Sequence, residues 1–97
     1  KENIEYDWDA TTRFKQLKPA RFNFIANAEK TVDGFMAHEA QEVVPEAVSG
    51  EKDEVDDDGN PVIQGIDQAK LVPLLVKTVQ EQQTVIESLE ARITALE

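Results

Sequence analysis

The sequence predicts an α+β fold: a small antiparallel hairpin or sheet with short helices, then a long C-terminal helix forming a parallel trimeric coiled coil. Three observations predict it. Apolar and polar positions alternate through residues 21–25, and a second strand-like run covers 31–37. An acidic stretch at positions 51–58 holds six carboxylates against one lysine, a net charge of −5. From Val72 onward, apolar residues recur in a heptad frame. The expected division is a globular body over residues 1–66, with an acidic loop at 50–61, and a coiled-coil helix over 67–97.

Each element has a local cause. Asp9 to Leu17 sets Phe14 and Leu17 at helical spacing behind Trp8, with Asp9 placed to cap the first turn. Lys18-Pro19 stops that helix, because a residue before proline is pushed out of the α region. Arg21-Phe22-Asn23-Phe24-Ile25 suits a strand with one buried face. Asn27 to Lys30 reads as a turn and Thr31 to Ala37 as the second strand of a hairpin. His38 to Val44 forms a short helix with Ala40, Val43 and Val44 inside, ended by Pro45. Gly50 to Pro61 is a solvated loop, and Val62 to Ile66 gives one more short strand. Trp8, Tyr6, Phe14, Phe22, Phe24 and Phe35 are expected in the core, where their burial would dominate the stability of so small a body.

The C-terminal segment carries the most information. Val72, Val79, Ile86 and Ile93 take the first seam position, and Leu75, Gln82, Leu89 and Leu96 take the second. Seven of these eight are apolar over almost four heptads, with Glu81, Glu87 and other polar residues outside. A helix packed on a globular core would need a wider stripe, with a third apolar position per heptad. Branched residues at the first position with Leu at the second favour parallel dimers. Gln82 in the seam and Val85 on its flank suit a wider core, and Arg92 and Glu97 stand where a parallel neighbour could pair them. The spacing therefore predicts a parallel oligomer, with the trimer preferred over the dimer. Pro73 removes a backbone donor, so the helix starts near Ala69 or kinks at the proline.

Composition excludes several classes. The 97 residues include no cysteine, so disulfides and thiolate metal sites are ruled out. No apolar run approaches the roughly 18 residues of a bilayer crossing. Ten basic against 20 acidic residues give a net charge of −10, with no basic stripe to track nucleic-acid phosphates. No nucleic acid, membrane, metal or cofactor is expected as a partner. The chain begins at Lys1 without an initiator Met or signal-peptide pattern and reads as a fragment of something longer.

Isolated motifs are weak. His38-Glu39-Ala40-Gln41-Glu42 lacks the second histidine of a zinc protease, so His38 is expected to be a hydrogen-bonding residue at a helix start, with local acid–base chemistry as the alternative. Glu54-x-Asp56-x-Asp58-Gly59 resembles half a calcium loop, but Gly65 stands where a bidentate Glu is needed. Ser49 and Ser88 are the only serines, and Ser49 has no His or Lys at a telling spacing.

Five segments in order carry a stronger signal: Lys1-Glu2-Asn3-Ile4; Leu17-Lys18-Pro19 with Phe22-Asn23-Phe24; Gly34-Phe35-Met36-Ala37-His38-Glu39; Glu42-Val43-Val44-Pro45; and Asp67 with Lys70-Leu71-Val72. Together they resemble the C-terminal intramolecular chaperone domain of phage endosialidases, tailspikes and tail fibres, the S74 peptidase family. The resemblance covers nearly the whole chain. It implies a homotrimer that aligns the upstream fibre or tailspike domain of the same precursor and then cuts itself off before a Ser-Asp pair. Lys1 matches the family's assisting lysine, and His38 and Glu39 match a position where His or Gln precedes Glu. The nucleophilic serine would lie upstream of residue 1, so this chain alone would be inactive. The implied setting is the cytoplasm of an infected bacterium during virion assembly, with release from the mature virion fibre. A cap that trimerises a fibrous protein and stays attached is the alternative. A homologous domain of a membrane-anchored cellular transcription factor is a third reading, disfavoured by the acidic loop.

Overall fold

A computed structural model describes all 97 residues. In chain order the elements are a one-turn helix α1 (Thr11–Phe14), strands β1 (Ala20–Phe24) and β2 (Asn27–Gly34), helix α2 (Ala37–Val43), a 3-10 turn (Pro45–Ala47), strands β3 (Val48–Ser49) and β4 (Gly65–Ile66), a second 3-10 turn (Gln68–Leu71) and the long helix α3 (Val72–Leu96). The fold is α+β. The molecule measures 68 × 42 × 17 Å, because α3 runs on past the body.

Two separate two-stranded antiparallel sheets form. In the first, Ala20 faces Gly34, Arg21 faces Asp33 and Phe22 faces Val32; the register shifts between Phe22 and Phe24, where Phe24 faces Asn27. The hairpin therefore turns at Ile25-Ala26, and β2 begins at Asn27, inside the segment expected to be the turn. A two-residue connection lets pairing begin at once, which lengthens β2, and the irregularity absorbs the surplus residues. In the second sheet Val48 faces Ile66 and Ser49 faces Gly65. Val62 to Gln64 lie outside this ladder, so the expected strand shrinks to two residues.

The core is small. Ala10, Val44, Ala47, Leu71 and Leu74 form it, with Trp8, Leu17, Phe35 and Val43 packed against it. Only seven of 97 residues are buried, so a single copy has little apolar burial with which to offset chain entropy. The aromatic expectation needs correction: Tyr6 is 82% exposed and Phe24 61%. Phe24 lies on a hairpin arm outside the core cluster, and its ring meets Phe22 edge to face at 5.3 Å.

Two helix starts also differ from expectation. α1 is one turn rather than Asp9 to Leu17, and its N-cap residue is Ala10, with no cap from its own side chain. Asp9 accepts from the Thr12 hydroxyl and, at 3.5 Å, from the Thr12 N–H, and the hydroxyl bond above all holds its carboxyl below the usual carboxylate range. At α3, Asp67 accepts from the Ala69 N–H at 3.2 Å and starts the 3-10 turn that leads into the helix. Pro73 then falls in the first turn of α3, where its missing N–H costs nothing, and no kink is needed.

Candidate functional site

α3 presents one buried and one exposed apolar face. Leu71, Leu74 and Thr78 are buried against the body, and the Thr78 hydroxyl satisfies itself by donating to the Leu74 carbonyl at 2.8 Å. Glu81 continues this face. Its carboxylate accepts from the Ala10 N–H at 2.7 Å, the Thr11 N–H at 3.0 Å and the Thr11 hydroxyl at 3.2 Å. It thus caps α1 from 70 residues away, beside the longer Asp9 contact to the Thr12 N–H. Sequence spacing did place Glu81 outside the heptad seam; what it could not supply was the N-terminus waiting there.

The second face is the heptad seam, roughly a quarter-turn round the helix from the first at 100° per residue. Val72, Leu75, Val79, Ile86, Leu89, Ile93 and Leu96 are all at least 44% exposed in the single chain. From Gln82 to Glu97 every residue is exposed, so the last four turns touch nothing of the body. The expectation that α3 would not lie on a globular core therefore holds only beyond Glu81. Its first turns pack on the body with one stripe and still leave the seam open.

Of the residues matched to the S74 cleavage machinery, Lys1 is exposed and belongs to none of the four ion pairs. His38 and Glu39 lie half-buried in the first turn of α2. Glu39 faces Lys18 at 4.0 Å; His38 makes no side-chain hydrogen bond, contrary to expectation. No hydrogen bond or ion pair joins Lys1 to either. A shallow open groove of about 470 Å³ runs along β3 and β4, lined by Glu46, Ser49 and Asp67 among others, and includes none of the three.

The acidic loop is internally satisfied. The Asp56 carboxylate accepts from the N–H groups of Asp58 and Asn60, both at 2.9 Å, and Glu54 accepts from the Glu51 N–H. This is turn chemistry rather than a cation cage, and no group of three or more carboxylate or histidine side chains is placed to hold a metal. No helix is long and apolar enough to cross a membrane.

Comparison with known families defines the class. Residues 1–49 match the family model described as chaperone of endosialidase, peptidase S74. That match covers half of the chain and includes Lys1, the hairpin, and the His38-Glu39 turn of α2; the chain belongs to this family, and membership supports a chaperone role. A search among curated proteins found no match.

Proposed function

We propose that this chain is an intramolecular chaperone that brings three copies of a longer phage fibre or tailspike polypeptide into register through α3. It is then released by autoproteolysis at a Ser-Asp pair upstream of Lys1. The observation that carries the reading is the uncovered seam of α3. Seven apolar side chains point away from the body, and covering the exposed half of each gives roughly 1 kcal/mol per residue. Repeated over three chains, that offsets the entropic cost of association.

The function follows physically. A fibre built from interchain contacts folds slowly and is open to aggregation on the way. A local helical zipper forms first and holds three chains at an effective concentration on the order of millimolar. Removing it afterwards leaves a fibre whose persistence is kinetic. The proposed division is a chaperone body over residues 1–66 and an assembling helix over 67–97. Lys1 acts as the base for the upstream serine, with His38 and Glu39 in support. A lysine accepts a proton only when desolvated or set beside another cation. The single chain leaves Lys1 in water, so cleavage requires assembly or the precursor to bury it. The second reading, an uncleaved trimerisation cap, uses the same uncovered seam.

Running the precursor on a denaturing gel tests the choice. Self-cleavage of wild type that is lost in Lys1→Ala supports the chaperone with release. An intact trimeric precursor supports the cap.

A further inference from the structure

α3 carries two residues, one turn apart, that grip the start of the chain. The Lys77 ammonium donates to the Tyr6 carbonyl at 2.7 Å and sits 5.9 Å from the centroid of the Trp8 ring. The Glu81 carboxylate holds the N–H groups of Ala10 and Thr11. Charge and partner match at each end: the cation meets a carbonyl and a ring face, and the anion meets amide donors at a helix start. Between the two grips lies Thr78, buried, and Val79, a seam residue 62% exposed. Lys77 and Glu81 themselves stand outside the seam.

Glu81 also marks a boundary. It is half-buried, and every residue after it is exposed. An unsupported helix of about 16 residues is marginal in water, so in a single chain fraying from the free end reaches toward Glu81. Closing the seam around Val79 and Ile86 removes that fraying. The grip on residues 6–11 then becomes firm at the moment the helices assemble.

We propose that Lys77 and Glu81 are positioning residues that couple assembly of α3 to ordering of the N-terminal segment. This deepens the reading above and rests on it. The segment that leads back to Lys1 is gripped in the single chain and held more firmly once α3 has partners.

Amide hydrogen exchange on this chain, run beside sedimentation across the concentrations at which it assembles, tests the coupling. The Ala10 and Thr11 amides should exchange at least tenfold more slowly in assembled than in dilute protein. Compared at equal degree of assembly, Glu81→Ala should abolish that difference and, because coupling is reciprocal, shift assembly to higher concentration, and Glu81→Gln, which keeps one acceptor oxygen, should restore part of both. Leu89→Ala, remote from the body, should shift protection to higher concentration in step with assembly. Protection equal in dilute and assembled chain, or untouched by Glu81→Ala, overturns the coupling and leaves the assembly reading standing. A chain that stays single at every concentration overturns both, and the sedimentation profile identifies that case.

Discussion

Glu81 and Ala10 are joined by a 2.7 Å hydrogen bond from the Ala10 backbone N–H to the Glu81 carboxylate, across 71 residues of chain. Ala10 is completely buried, so its donor has no water to turn to if the carboxylate leaves. Replacing Glu81 with Ala should cost about 1–2 kcal/mol, the range for losing a good helix N-cap. For a domain near this size that lowers the melting temperature by roughly 4–8 °C per kcal/mol. Thermal denaturation followed by circular dichroism reads it, with Glu81→Gln expected in between.

Leu74 and Leu89 belong to one helix but to different faces of it. Leu74 is 4% exposed in the core and Leu89 48% exposed on the seam. Leu74→Ala should cost about 2–5 kcal/mol at any protein concentration, since it opens a cavity within one chain. Leu89→Ala should act only through association: the melting temperature falls at low concentration and recovers as concentration rises. Melting curves over a hundredfold dilution separate the two.

What was legible followed periodicity. The helix from Val72 to Leu96 was readable because apolar residues recur at period 3.5 over almost four heptads. The inner face of α2 was readable because Ala40 and Val43 share one side of a helix, with Val44 buried just past its end. Asp67 and Pro73 hid the start of α3, because a 3-10 turn has no strong pattern of its own. Thr78 was missed as a core residue because its hydroxyl looks polar until Leu74 supplies the acceptor. Tyr6 and Phe24 were assigned to the core on residue type, while burial depends on whether a second layer covers the strand. Glu81 looked like solvated surface, since nothing local to it reveals the end of α1.

Acid should loosen the body at one identifiable pair. The Arg13 guanidinium donates to Glu46 and to the Val43 carbonyl, tying α1 to the end of α2, and it holds the Glu46 carboxyl below its ordinary value of 4.5. A lowered carboxylate contributes stability above the unfolded value and loses it as pH falls through the folded one. Stability from this pair is therefore complete above about pH 4.5 and declines below it. Glu46 is 55% exposed, so the contribution stays small, under about 1 kcal/mol. Arg13→Gln should flatten that part of a stability-against-pH curve.

Gly50 adopts φ +77°, and its carbonyl accepts from the side chains of Gln41 at 2.9 Å and Gln64 at 3.3 Å. Any L side chain is strained there, and Gly50→Ala should cost about 1–2 kcal/mol. Gly65→Ala has no such φ, and its added methyl meets only the movable Ser49 hydroxyl at 3.2 Å, so it should cost less. Paired urea titrations compare them, with the ordering as the test.

Sedimentation equilibrium of the isolated chain at micromolar concentration bears most directly on the account, because everything proposed for α3 depends on its uncovered seam finding partners. A three-chain species, dissociating when Ile86 and Leu89 are replaced by serine, is the predicted result. A mass of one or two chains throughout that range would contradict it.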